Sequence, residues 1–281
     1  MRLEKFGSTG RGVSVIGQGT WDLERADRKP AIAALQRGVE LGMTHIDTAE
    51  YYGAGRVEEI VGEAIVDRRE QVFLVSKVCP NHGTYAQTLK ACEDSLKRLR
   101  TDRLDVYLLH WRGRADLVGV FKAFLDLQRQ GKILHAGVSN FDVHDLEDMR
   151  AIEGGQAMVC NQVLYHLEER TIENAVLPWC IDHHLAVTAY SPFGHDRFPT
   201  PHSPHGKVLQ AIADAHGATP RQVALQFLVH DPHVFAIPKA SSVAHTEENA
   251  AAVDLRLTAE DFAWLEKTFP KPHLTTALPS L

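Results

Sequence analysis

Short apolar runs recur along this chain and alternate with longer segments whose apolar residues have helical spacing. The runs fall at 13–16, 44–46, 72–75, 104–109, 133–138, 157–160, 185–189 and 234–237. They are rich in β-branched residues and hardly interrupted by polar ones, as strands covered on both faces are. Between them, Leu117, Val120, Phe121, Phe124 and Leu125 make one apolar helix face, which Gly131 closes. Leu89, Cys92, Leu96 and Leu99 make another, with Thr84 and Gln87 ahead of them at capping-box spacing. Thr219 followed by Pro220 reads as an N-cap with proline in the first helical position, and Gln222 completes a second box. Val223, Ala224, Phe227 and Leu228 then face inward.

Eight strands with intervening helices fit a closed barrel or an open doubly wound sheet. The open sheet would carry a glycine-rich phosphate loop after a strand. Gly53-Ala54-Gly55 offers itself, but Glu58 stands where the third glycine belongs, and a carboxylate there would repel a pyrophosphate. That segment is expected to be a turn ahead of a helix beginning near Val57. The fold expected is therefore an α/β (β/α)8 TIM barrel, and the 281 residues suit one domain over 1–281, since such barrels run to about 250 residues. The stretch from His195 to His205 reads as a loop rich in His and Pro.

In such a barrel the chemistry gathers where the strands end. The first run leads to Gly19-Thr20-Trp21 and the second to Asp47. The others lead to Ser76-Lys77, His110-Trp111, Ser139-Asn140, Asn161-Gln162, Tyr190-Ser191 and Pro238-Lys239. Asp47, Lys77 and His110 would share one rim, and Tyr52, five residues past Asp47, can lean back over it. A free tyrosine titrates near about 10, too high for an efficient proton carrier at neutral pH. A neighbouring ammonium lowers that value, and a carboxylate holds the ammonium in place. Tyr–Lys–Asp is then a relay for delivering a proton to a carbonyl oxygen, with His110 orienting that carbonyl. The hydride has to come from a cofactor. The same residues have a plain structural reading: a rim ion pair, a core histidine, and Tyr51 as the equal of Tyr52.

Composition narrows the class. A net charge of −6 without a long single-sign run argues against nucleic acid or an anionic membrane as partner. No apolar stretch approaches the roughly 20 residues of a membrane span, and no signal peptide is evident, so a cytoplasmic protein is expected. Cys79, Cys92, Cys160 and Cys180 have neither C-x-x-C nor zinc spacing and read as buried or half-buried free thiols. The sixteen histidines suggest a metal-dependent hydrolase, but His183-His184, His195, His202 and His205 lack ligand spacing and read as surface, so no metal is expected.

At the strand-end residues the chain resembles the aldo-keto reductases, in the prokaryotic branch that handles methylglyoxal and other small carbonyls. Residues 42–53, Gly-Met-Thr-His-Ile-Asp-Thr-Ala-Glu-Tyr-Tyr-Gly, look like the family's first signature. Ser95 to Leu99 with Asp105 to Trp111 resembles the second. Val75 to Val78, Gly137 to Phe141, Asn161-Gln162, Tyr190-Ser191-Pro192 and Ile237-Pro238-Lys239 follow in family order. The resemblance implies Tyr52 as general acid, tuned by Lys77 and Asp47, and His110 directing the carbonyl. It implies Ser139, Asn140 and Gln162 on the nicotinamide carboxamide and Tyr190 stacked on its ring, with Gly19, Thr20, Trp21, Ser191 and Pro192 along the cofactor. It puts Lys239, Ser241, Ser242 and His245 at the adenosine 2′-phosphate, and Glu248 and Asn249 at the adenine. Trp21 and Trp111 would wall the substrate pocket beside Tyr52 and His110, or serve only as packing.

Three departures stand out. Arg112 follows Trp111 where many members have proline. His245 replaces an expected arginine, and histidine is only partly charged at neutral pH, with Glu247 close by. The cofactor expected is therefore NADPH, with NADH also admitted. The tail after Phe269 is short and is expected to leave the pocket open. The function expected is NAD(P)H-dependent reduction of aldehydes and ketones, small dicarbonyls and keto-sugars among them, by a monomer. A cofactor-binding regulatory protein on the same fold is the alternative.

Overall fold

The chain begins with two short strands, β1 (Leu3–Lys5) and β2 (Gly12–Ser14), paired antiparallel. Phe6 between them is fully buried, its ring 4.9 Å from Phe73 and 4.8 Å from Phe235. Those partners lie at the starts of strands in the main sheet, so the hairpin plugs that sheet's amino end. The computed structural model describes residues 1–272 and 278–280.

Above the plug stand eight parallel strands: β3 (Gln18–Gly19), β4 (His45–Asp47), β5 (Phe73–Val78), β6 (Leu104–Leu109), β7 (Ile133–Ser139), β8 (Cys160–Leu164), β9 (Ala186–Tyr190) and β10 (Val234–Ala236). Each pairs with the next in sequence. Bridges from Ile16 to Ala236 and from Gly19 to Lys239 join the first to the last and close the (β/α)8 barrel. A Cβ on Gly19 would lie 2.4 Å from the Ile237 carbonyl oxygen, so the seam requires glycine there. The outer helices are α1 (Arg28–Glu40), α2 (Arg56–Ile65), α3 (Tyr85–Leu99), α4 (Leu117–Arg129), α5 (Val143–Arg150), α6 (Val176–Asp182), α7 (Pro204–His216), α8 (Pro220–Val229), α9 (Val243–Ala251) and α10 (Ala259–Thr268). Among the described residues no helix is long and apolar enough to cross a membrane.

Register sets what faces the barrel axis. Gly19 pairs with Asp47, and Asp47 with Val75. Lys77, two residues beyond Val75, pairs with Leu108, and Leu108 with Gly137. His110 and Ser139 each lie two residues further on; Ser139 pairs with Gln162, Gln162 with Thr188, and Tyr190 lies two past Thr188. Side chains alternate with a period of two, so Asp47, Lys77, His110, Ser139, Gln162 and Tyr190 occupy one pleat phase. The opposite phase faces the helices: Ser76 donates to Glu58 of α2 at 2.6 Å.

Several expectations need correcting. The first apolar run is not a barrel strand, because its front half belongs to the plug hairpin and the barrel begins at Gln18. The sixth barrel strand begins at Cys160 and not at 157, where a 3₁₀ turn entered through Gly154 (φ +86°) occupies 155–157. The loop expected to reach His205 gives way to α7 at Pro204, capped by the Ser203 hydroxyl. Thr219 and Gln222 do form the full capping box, whereas Thr84 makes half of one, because its hydroxyl donates to the Gln87 side chain. Gly53-Ala54-Gly55 is a left-handed turn leading into α2. All four cysteines are buried free thiols.

Glu58, which stands where a phosphate loop would need its third glycine, is fully buried and held by Arg98 of α3 at 2.6 Å. Removing one partner of such a pair leaves a charge without compensation. Arg98→Met is expected to destabilise the protein by about 3 kcal/mol. The double variant Glu58→Leu/Arg98→Met should recover most of that loss in denaturant unfolding followed by circular dichroism.

Candidate active site

Lys77 reaches from β5 to the middle of the barrel mouth, where its side chain is fully buried. Its ammonium donates to Asp47 Oδ1 at 2.5 Å, to the Thr48 carbonyl at 2.9 Å and to the Tyr52 hydroxyl at 3.2 Å. Three donors meet three acceptors, so the buried cation is fully satisfied. The other Asp47 oxygen accepts from Gln162 Nε2 across the barrel at 2.7 Å. His110 closes the group, with its ring 5.7 Å from that of Tyr52. The two tyrosines separate here: Tyr52 is half-buried against Lys77, and Tyr51 is 62% exposed.

Burial works against the Lys77 charge, yet Asp47 and Tyr52 outweigh it and hold the amine above its ordinary pKa. Burial lifts Asp47 above the usual carboxylate range, against the pull of Lys77 and Gln162. The expectation of an acidified Tyr52 is corrected. Burial raises the phenol above its ordinary value, and the opposing pull of Lys77 is the smaller effect. His110 is held far below its usual value by burial and then by the Lys77 charge, so its ring is neutral. Its Nδ1 is buried with no partner among the described residues.

Two concavities meet at this cluster. The first, of about 570 Å³, is lined by Trp21, Tyr51, Tyr52, His110, Trp111 and Arg112, and reaches Asn140 and Asp145. Leu278 and Ser280 also line it, so the tail does not leave the pocket bare. Asn174 donates to the Pro272 carbonyl at 2.9 Å, and Arg170 to that of Phe269 at 2.5 Å, fixing where the tail departs. The second, of about 710 Å³, is a groove along Gly19, Thr20, Trp21, Tyr190, Ser191 and Pro192 to Lys239. Trp21 walls both and stacks on His195 at 4.7 Å.

Ser139, Asn140 and Tyr190 are wired together. The Tyr190 hydroxyl donates to Asn140 Oδ1 at 2.9 Å, and Asn140 Nδ2 donates to Ser139 Oγ and to the His110 carbonyl. Five of the cofactor candidates line neither concavity. Ser241 immediately precedes Ser242, which caps α9 by accepting from the His245 amide at 3.3 Å. Glu248 accepts the Thr219 hydroxyl at 2.7 Å, and Asn249 is buried. Glu247, the carboxylate close to His245 in sequence, is paired with Arg37 at 2.8 Å. The groove also holds residues the sequence did not single out: Arg25, Phe193, Phe198 and Arg221. Of these only Arg221 carries a sequence signal, a cation in the first turn of a helix, where the backbone dipole disfavours it. Among the described residues no three His, Cys, Asp or Glu side chains converge as a metal site would require.

A barrel with such a mouth and a groove beside it is that of an oxidoreductase acting on carbonyls. The chain belongs to the aldo/keto reductase family, whose pattern matches residues 15–268. It is 43% identical over 265 residues to methylglyoxal reductase YeaE of Escherichia coli, covering 94% of this chain and 93% of that one. It is 34% identical over 250 residues to glyoxal reductase of Bacillus subtilis, covering 88% and 85%. Its structure resembles that of an aldo-keto reductase from Klebsiella pneumoniae in complex with NADPH, with a TM-score of 0.94, 42% identity, and coverage of 100% and 99%.

The opposing influences on Tyr52 can be measured. In an ultraviolet difference titration of wild type against Tyr52→Phe, the phenol is expected to ionise above the free tyrosine value. Lys77→Met should raise that midpoint further, because it removes the opposing pull. A midpoint that drops in Lys77→Met would show that the ammonium had not been stabilising the phenolate.

Proposed function

We propose that this protein reduces small aldehydes, ketones and dicarbonyls to alcohols with NADPH, and that Tyr52 gives the proton. The observation that carries the reading is the Lys77 ammonium 3.2 Å from the Tyr52 hydroxyl, beneath the junction of pocket and groove. The groove's chemistry suits a dinucleotide: Tyr190 stands where it meets the pocket, whose lining brings Ser139, Asn140 and Gln162, and Lys239 lies further along. When bound, the nicotinamide supplies the hydride. Ser139, Asn140 and Gln162 would hold its carboxamide, and Tyr190 would stack on its ring. His245 in place of an arginine leaves NADH usable as well.

The substrate carbonyl points at Tyr52 Oη and His110 Nε2. As hydride reaches its carbon, negative charge gathers on its oxygen. The neutral His110 donates a hydrogen bond there, and Tyr52 transfers its proton. The phenolate left behind lies against the Lys77 ammonium, and solvent returns the proton. Asp47 keeps Lys77 in position throughout.

Tyr52→Phe is expected to lower turnover by about 100-fold or more while cofactor binding persists. NADPH oxidation against a small-carbonyl panel and quenching of protein fluorescence read the two separately. Reduction needs the protonated phenol, and that phenol's pKa is raised. The rate should therefore stay level through neutral and mildly alkaline pH and fall only as pH rises through the phenol's pKa. Alcohol oxidation should show the opposite slope.

Charge at the pocket mouth bears on substrate choice. Arg112 is bound by Asp145 at 2.5 Å and by Asp148 at 2.8 Å, so this cation at the rim is already met by two carboxylates. 4-Nitrobenzaldehyde should be preferred over 4-carboxybenzaldehyde by about fivefold in kcat/KM, as befits partly solvated charges. Asp145→Asn/Asp148→Asn should erase that preference.

A further inference from the structure

Arg221 is the second residue of α8, directly after the Thr219–Pro220 cap. Its guanidinium lies 5.5 Å from the Phe193 ring centre and 5.2 Å from that of Phe198, and those rings pack edge to face at 5.8 Å. All three line the groove beside Ser191 and Pro192. Two features make this cation expensive. At the amino end of a helix it sits against the positive pole of the backbone dipole. Among the described residues it also has no carboxylate partner, unlike Arg25 of the same groove, which is held by Asp22 at 3.3 Å.

The charges along the groove can be matched in turn. Asp22 is met by Arg25 and Asp47 by Lys77. Among the described residues of the groove, Arg221 and Lys239 remain as cations without an ion pair, against the unpaired carboxylate of Asp196. An anion bound here would satisfy Arg221 and relieve its conflict with the helix pole. The part of the groove it shares is the stretch with Ser191, Pro192 and Phe193; Ser242 and His245 do not line it.

We propose that Arg221 binds the pyrophosphate of the nicotinamide dinucleotide, held in position between Phe193 and Phe198. This rests on reading the groove as the dinucleotide site. Arginine suits the task because its planar fork bonds two phosphate oxygens at once and its flat face stacks on rings. Phe193 and Phe198 come from the loop between β9 and α7, so the same side chain ties that loop to α8 and closes the groove's outer wall. Both NADPH and NADH carry a pyrophosphate, so the contact favours neither.

The test is dissociation constants for NADPH and NADH, from quenching of the intrinsic fluorescence to which Trp21 in the groove contributes. Wild type is compared with Arg221→Gln and Arg221→Lys, with thermal unfolding of the free proteins as a control on folding. Arg221→Gln should weaken both cofactors by a similar factor of about ten or more, and Arg221→Lys by less, since it keeps the charge and loses the fork. Equal affinity of Arg221→Gln and wild type for both cofactors would overturn the proposal. A loss confined to NADPH would also overturn it, by assigning the guanidinium to the 2′-phosphate. Wild type that binds neither cofactor would sink the reading of the groove itself.

Discussion

A fully buried ammonium at the mouth of the barrel is the constraint around which the rest is arranged. Burying an unpaired charge costs several kcal/mol, so Lys77 is tenable only where every one of its protons has an acceptor. Asp47, Thr48 and Tyr52 provide them, and they come from a strand end and the loop after it. The pair then fixes its surroundings. Gln162 is committed to the second Asp47 oxygen, and Thr20 donates to the Asp47 carbonyl at 2.8 Å. The same charge, after burial itself, keeps both His110 and His45 from protonating, and His45 is pushed down to about 3. Much of the site's electrostatics therefore follows from one side chain and the register that puts it there.

That register explains why the site was legible in the sequence although the strand boundaries were not. Reading past the end of each apolar run found Lys77, Gln162 and Tyr190, yet all three lie within strands. The pattern stops at polar residues because it cannot distinguish a polar side chain turned toward a barrel mouth from the start of a loop. What brings the chosen residues together is the period of two, which keeps inward positions in phase from strand to strand. The misplaced first strand has a related cause. Val13 to Ile16 are all buried although only Val13 and Ser14 belong to the plug hairpin, so the run looks like a barrel strand, and periodicity cannot separate the two.

What the sequence left hidden lies in loops and at the tail, where position depends on the barrel as a whole. Phe193, Phe198 and Arg221 are separated along the chain and meet because β9 and α8 flank the same groove. Leu278 returns to the pocket after the tail has left α10. The departure at Arg112 was visible, but its binding by Asp145 and Asp148 of α5 was not, since no spacing rule relates one barrel loop to the next helix.

The raised phenol bears directly on the proposed chemistry. A tyrosine acidified in the resting site would spend part of its time as phenolate, unable to donate. Burial keeps Tyr52 protonated, and Lys77 contributes most once charge has appeared. In the proposed transition state negative charge would spread from the carbonyl oxygen to Tyr52 Oη, and the ammonium that would stabilise it is already in place and hydrogen-bonded. Stabilisation that grows with the developing charge, and requires no rearrangement at that moment, lowers the barrier without tightening the ground state. The burial that makes Tyr52 a weaker acid at rest also strengthens its attraction to Lys77 when the proton leaves, because a charge interaction grows as the local dielectric falls.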